Sequence, residues 1–123
     1  MAKMHMIVLV DDEPEVLSAL RRSLAREPYL VLTTSQPREA LRWVEALDVS
    51  AVVSDERMPG MTGSELLARV SDRSPETARI LLTAHRGAAA RRPHPIECMI
   101  EKPWDDAMLK RALREFLTQQ VED

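Results

Sequence analysis

Cysteine is almost missing from this chain: Cys98 is the single one among 123 residues. That excludes an internal disulfide and any multi-cysteine metal site, and it agrees with a reducing compartment. Cys98 lies in an apolar run, where core packing is its expected role. Glycine is also scarce. With three in all, no glycine-rich loop follows any apolar run, so the phosphate-cradling turn of a nucleotide-binding fold is missing. No apolar stretch approaches the roughly 20 residues that a membrane-spanning helix needs, and Met1 to Val10 lacks the apolar core and cleavage site of a signal peptide. A cytoplasmic location without a membrane partner is expected. Positive charge is not in excess either. With a net charge of −3, direct nucleic-acid binding is not expected, and Arg21-Arg22 and Arg91-Arg92 read as solvated surface.

What is present suits one ordered domain spanning 1–123, with 118–123 as a tail or linker. The chain is 45% hydrophobic and 30% charged, long enough for one core and too short for two. Met4-His5-Met6-Ile7-Val8-Leu9-Val10 is a nearly unbroken apolar run, as in a strand buried on both faces of a parallel sheet. Asp11-Asp12-Glu13 ends it, and Pro14 opens a helix with Val16, Leu17, Leu20 and Leu24 on one face. The alternation then repeats. Tyr29 to Thr34 is a second strand, Ser35 a candidate cap, and Ala40, Leu41, Val44 and Leu47 the stripe of a second helix. Val49 to Ser54 is a third strand, followed by a Pro/Gly-punctuated loop and a helix from Gly63 with Leu66, Leu67 and Val70 buried. Ala78 to Leu82 is a fourth strand, stopping at Thr83-Ala84-His85. Pro93 and Pro95 leave the fourth helix short or absent. Ile96 to Glu101 is a fifth strand whose polar alternation suits a sheet edge. Asp105 caps a last helix with Leu109, Ala112, Leu113, Phe116 and Leu117 inside.

Such an α/β chain forms a doubly wound, five-stranded parallel sheet with helices on both faces, because right-handed crossovers force that arrangement. The carboxyl ends of its strands share one rim. Asp11-Asp12, Asp55, Thr83 and Lys102 each stand where a strand ends, so acids, a hydroxyl and an ammonium meet where open α/β sheets bind ligands. Alone, an Asp closing a strand is more often a turn residue or helix cap. The joint pattern is what makes Asp55 a candidate reactive group.

Val10-Asp11-Asp12-Glu13, Ser54-Asp55-Glu56-Arg57-Met58-Pro59-Gly60-Met61-Thr62-Gly63, Leu81-Leu82-Thr83-Ala84 and Glu101-Lys102-Pro103-Trp104 resemble the four signatures of receiver domains in two-component response regulators. The resemblance covers nearly the whole chain. It implies a flavodoxin-like fold of strand order 2-1-3-4-5 and a cis peptide at Lys102-Pro103. It further implies Asp55 as phosphoacceptor for a sensor histidine kinase or phosphotransfer protein, with an output partner of unknown kind. Three carboxylates on one rim repel one another, and a Mg2+ ion removes that conflict. Asp12, Asp55 and the backbone carbonyl of Arg57 are then its direct ligands, with Asp11 acting through water, while Lys102 and the Thr83 hydroxyl hold phosphoryl oxygens. The wording around Pro59-Gly60-Met61 and Lys102 to Asp106 looks like receivers fused to output enzymes.

Two features depart from the family pattern. Met99 stands where most receivers carry the Tyr or Phe whose ring moves inward on switching, and methionine offers neither a rigid ring nor a hydroxyl. The stretch between Thr83 and Lys102 is about one helical turn shorter than usual and carries Pro93 and Pro95 where the family has a helix, so signal exit and any weak homodimer are expected through a non-standard face. Arg57 and His85 follow Asp55 and Thr83 by two positions each and are candidate determinants of phosphoryl lifetime. His5 and His94 lack metal-ligand spacing, and Trp43 and Trp104 are expected to pack on helix flanks. A degenerate receiver working by constitutive contact is the alternative reading. An aspartyl-phosphate phosphohydrolase fits less well, because Asp11-Asp12-Glu13 lacks the Asp-x-Asp pattern of its first strand.

Overall fold

The computed structural model describes residues 4–84 and 96–121, apart from the side chains of 119–121. In chain order the elements are β1 (His5–Val10), α1 (Pro14–Ser23), β2 (Tyr29–Thr34), α2 (Pro37–Ala46), β3 (Ala51–Asp55), α3 (Gly63–Arg73), β4 (Ala78–Thr83), β5 (Cys98–Glu101) and α4 (Asp106–Val121). The strands form one parallel sheet in the order β2-β1-β3-β4-β5. This is the expected flavodoxin-like arrangement. The short fourth helix expected after His85 falls in 85–95, outside the described residues.

Strand parity sorts the core into two layers, because successive side chains leave a strand on opposite faces. Ile7, Leu9, Val53, Ile80 and Leu82 pack with Leu20 of α1 and with Leu109, Leu113 and Leu117 of α4. Val8, Val10, Val52 and Leu81 pack on the other face with Ala40, Leu41 and Val44 of α2 and Leu66, Leu67 and Val70 of α3. The helical stripes read from the sequence are the faces that touch the sheet, except that Leu47 falls just beyond the end of α2, where the chain leaves the helix and its side chain is exposed. Trp43 joins the second layer and Trp104 the first. The indole N–H of Trp104 also points to Ser23 Oγ and Asp106 Oδ1, each at 3.1 Å. Among the described residues, no helix is long and apolar enough to cross a membrane.

Several boundaries differ from the sequence expectation. β3 starts at Ala51 and includes Asp55, so the acid ends the strand itself. β5 begins only at Cys98, while Glu97 and the turn before β4 are fastened by Arg79. That arginine, read as one residue of an apolar strand, is buried at the rim opposite the acids. It donates to the carbonyls of Pro75 (3.0 Å) and Thr77 (2.7 Å) and to Glu97 Oε2 (2.6 Å). Ser35 does not cap α2. Gln36 holds that position without a side-chain bond, and Thr34 Oγ1 instead accepts the Gln36 N–H at 3.0 Å and donates to Glu39 at 2.5 Å. Asp105 does cap the last helix, accepting the Ala107 N–H at 2.8 Å. That helix continues to Val121, past Thr118, where a tail was expected.

Candidate functional site

Register decides which residues meet. Val10 pairs with Ser54, Asp55 with Leu82, and Thr83 with Glu101. Asp11, Asp55, Thr83 and Lys102 therefore follow one another across four adjacent strands, each at or just beyond a strand end. The fifth residue, Asp12, is exposed at the mouth of the same rim, whereas Asp11 is completely buried.

Lys102 joins the two inner acids. Its Nζ lies 3.0 Å from Asp11 Oδ2 and 2.8 Å from Asp55 Oδ1, with only 18% of the lysine side chain exposed. The backbone holds it in place: Lys102 N–H donates to the Thr83 carbonyl at 2.9 Å, and the Lys102-Pro103 peptide is cis, as the resemblance implied. The other Asp11 oxygen, Oδ1, accepts the Glu13 N–H at 2.9 Å. Thr83 is buried at the back of a cleft of about 630 Å³ that is also lined by Asp12, Glu56, Arg57, Met58, Pro59 and Thr62.

Burial raises the pKa of Asp11, and the charge of Asp55 adds to this, while the Glu13 N–H and Lys102 oppose it. Burial alone would lower Lys102, but its hydrogen bonds to Asp55 and Asp11 outweigh that and raise it. A lysine held above its unfolded value contributes stability below the unfolded pKa and loses it as pH rises through the folded one. In metal-free protein, the urea-unfolding free energies of wild type and Lys102→Met should differ by a constant amount between about pH 8 and 10. The gap should then narrow above about 10.5, the ordinary lysine value. Tyr29 is also raised, by burial and by Glu27, and loses stability in the same alkaline range. The difference between the two proteins removes that shared contribution.

Asp11, Asp12 and Asp55 each offer a carboxylate oxygen, all within 4.8 Å of one another. One lysine offsets only part of that charge. An all-oxygen, anionic donor set with one member open to water fits a hard divalent cation that keeps some of its waters. Glu56 is not among these donors despite its place beside Asp55. Its carboxylate turns to the start of α3, where Oε1 accepts from Ser64 N (2.7 Å) and Ser64 Oγ (2.9 Å).

Of the sequence-predicted residues, the structure brings together Asp11, Asp12, Asp55, Thr83 and Lys102, with Arg57 exposed on the cleft wall. Met99 lies half-buried in the β5 edge strand, against the layer under α2 and α3. His85 and His94 lie outside the described residues. His5 is a buried strand residue whose Nδ1 sits 2.8 Å from Ser50 Oγ. Sequence reasoning missed Glu56 and the reciprocal cap of Thr62 and Glu65, in which Thr62 N donates to Glu65 Oε1 and Glu65 N to Thr62 Oγ1. The Thr-x-x-Glu pattern was the available signal for that cap. No local pattern marks Glu56.

Residues 7–114 match the family model described as the response regulator receiver domain. The chain is 34% identical over 116 residues to the transcriptional regulatory protein GlrR of Escherichia coli K12, covering 92% of this chain and 26% of that protein. It is 41% identical over 83 residues to the hydrogenase transcriptional regulatory protein HoxA of Cupriavidus necator, covering 68% of this chain and 17% of that one. It thus spans about a quarter or less of the length of these curated relatives. Among solved structures, it superposes on the signal receiver domain of an HD domain-containing protein from Pseudomonas fluorescens Pf-5. That match has a TM-score of 0.88 and 34% identity, over 98% of this chain and 91% of the other. The response regulator protein TrrA of Thermotoga maritima, crystallised in complex with Mg2+ and BeF, matches with a TM-score of 0.85 and 26% identity, over 92% and 99% of the two chains.

Proposed function

Since the chain belongs to the response regulator receiver domain family, we propose that it accepts a phosphoryl group on Asp55 from a sensor histidine kinase or phosphotransfer protein, in a Mg2+-dependent reaction. The observation that carries this reading is the Lys102 ammonium bridging Asp11 and Asp55 at one rim. A phosphoryl donor must approach a carboxylate that is anionic, accessible and electrostatically balanced. Asp55 has that balance from Lys102, and its neighbours on the rim, Asp12, Glu56, Arg57 and Thr83, line a cleft beside it. In the transfer, the N–P bond of the phosphohistidine breaks as an Asp55 carboxylate oxygen bonds to phosphorus, and the departing ring nitrogen keeps the bonding pair and takes a proton from water, giving an acyl phosphate and a neutral imidazole.

Asp12, Asp55 and the Arg57 carbonyl would hold the ion directly, with Asp11 acting through water. When bound, Mg2+ neutralises charge on the transferring phosphoryl group. Lys102 can then exchange a carboxylate partner for a phosphoryl oxygen, and the Thr83 hydroxyl can donate to another. The added charge, from −1 on the carboxylate to about −2 on the acyl phosphate, biases the domain between two conformations and so changes its affinity for an output partner. Met99, half-buried in β5, is the adaptable part of that switch, and Arg57 and His85 tune the lifetime of the phosphorylated state. The domain works in the cytoplasm as a regulatory switch and not as an enzyme with a diffusing product. Its output is transcriptional, as the names of its relatives suggest, or is delivered to an enzyme domain.

Incubation with a small phosphodonor and Mg2+, followed by mass spectrometry of the intact protein, tests this. A gain of one phosphoryl group that is lost in Asp55→Ala is expected. No gain would leave the degenerate receiver as the reading, and rapid turnover of unrelated phosphate esters would point to a hydrolase.

A further inference from the structure

We propose that Glu56 is a positioning residue that fixes the 57–63 loop for metal binding, by acting as a clasp on the first turn of α3. The inference rests on the Mg2+ reading above. A helix start leaves four N–H groups without intrahelical partners, and here each one is used to hold the loop. Thr62 N donates to Glu65 Oε1 at 3.0 Å and Glu65 N to Thr62 Oγ1 at 3.1 Å. The other two go to Glu56: Gly63 N reaches its backbone carbonyl at 2.9 Å and Ser64 N its carboxylate at 2.7 Å.

Glu56 is therefore tied to α3 through both backbone and side chain, and its own N–H donates to the Leu82 carbonyl of β4 at 3.1 Å. The Ser64 hydroxyl adds contacts of 2.9 and 3.0 Å to the two carboxylate oxygens. The positive end of the α3 dipole favours that carboxylate where it lies. Arg57, whose carbonyl is the backbone ligand, follows this anchor directly. Two consequences are built in. The loop is closed at its base before any ion arrives, and a fourth carboxylate beside Asp55 is turned away from the ligand cluster.

Partners of this kind behind a metal site typically change affinity by 10–100-fold when removed. Titration of metal-free protein with Mg2+ alone, by calorimetry, should show Glu56→Ala weakening the ion about tenfold. Glu56→Gln keeps an acceptor for the Ser64 N–H and hydroxyl while losing the charge, and should stay within about threefold of wild type. Ser64→Ala, which loses only the hydroxyl contacts and covers a case in which Glu56→Ala fails to fold, should weaken the ion by a smaller factor than the clasp as a whole. Equal weakening in Glu56→Ala and Glu56→Gln would overturn the clasp in favour of a through-space charge effect. Wild-type affinity in Glu56→Ala and Ser64→Ala would overturn it outright. If wild type itself takes up no Mg2+, the metal reading fails and the clasp fails with it, an outcome separable from the others by the wild-type titration alone.

Discussion

Gly63→Ala is expected to destabilise the domain by about 3 kcal/mol, toward the upper end of what overpacking costs, and to slow phosphorylation of Asp55. A β-carbon at position 63 would stand 2.2 Å from the Asp55 carbonyl oxygen, 2.9 Å from its carbonyl carbon and 2.8 Å from Leu81 Cδ1. The leucine methyl can move. The backbone of β3 cannot do so alone, because Asp55 is in register with Leu82 and Gly63 N is bonded to Glu56. Relief requires α3 and the end of β3 to separate, which displaces the Asp55 carboxylate along with the helix. The better helix propensity of alanine returns at most about 1 kcal/mol. Gly60 provides the contrast. Its φ of 84° lies in the left-handed region, yet beyond its two chain neighbours no heavy atom of the described residues lies within 4 Å of a β-carbon placed there. Gly60→Ala should therefore cost only about 1–2 kcal/mol of backbone strain. Urea unfolding of both variants checks the ranking, and a Gly63→Ala protein within 0.5 kcal/mol of wild type (a margin typical of surface substitutions, about ±0.5 kcal/mol) would contradict it.

The second large effect runs in opposite directions on stability and on metal affinity. In metal-free protein at neutral pH, Lys102→Met should lower stability by about 3 kcal/mol, because the completely buried Asp11 loses its ammonium partner. The same substitution should tighten Mg2+ binding by roughly tenfold. The ammonium occupies Asp11 Oδ2 and Asp55 Oδ1 and repels an incoming cation across a partly desolvated site. Stabilisation by a ligand grows as RT ln(1 + [L]/Kd), so saturating Mg2+ should recover much of the lost stability in Lys102→Met and add less to wild type. Thermal melts with and without Mg2+ measure both effects. Equal Mg2+ stabilisation of the two proteins would show that lysine and ion do not compete. Acidification should shrink the metal-free penalty, since the pKa of Asp11 is already raised and a protonated carboxyl no longer needs a cation.

Much of this site was legible in the amino-acid order. An apolar run that stops at an acid reports both a buried strand and its end, so Asp11, Asp55 and Lys102 could be assigned to one rim before any coordinates. The same logic failed where a polar residue serves the core. Arg79 sits inside a run that reads as apolar, and only the fold shows that its guanidinium satisfies two carbonyls and Glu97. Ser35 has the chemistry of a cap but stands one position too early, and Thr34 does the local bonding instead. Sequence proposes a donor or an acceptor; the backbone path decides whether it reaches.

The sequence by itself determined the alternation of strands and helices, the faces of those helices that are apolar, and the set of acids, hydroxyl and ammonium available at the strand ends. These follow from periodicities of 2 and 3.6 residues and from abrupt changes in polarity, which are local properties. Tertiary structure alone decided that Lys102 lies between Asp11 and Asp55, that Glu56 turns to α3 instead of joining the cluster of Asp11, Asp12 and Asp55, and that residue 63 must lack a side chain. Each depends on strand register or on the approach of a helix to a strand far from it in sequence. Those distances are set by the packing of the whole sheet and are written in no short stretch of residues.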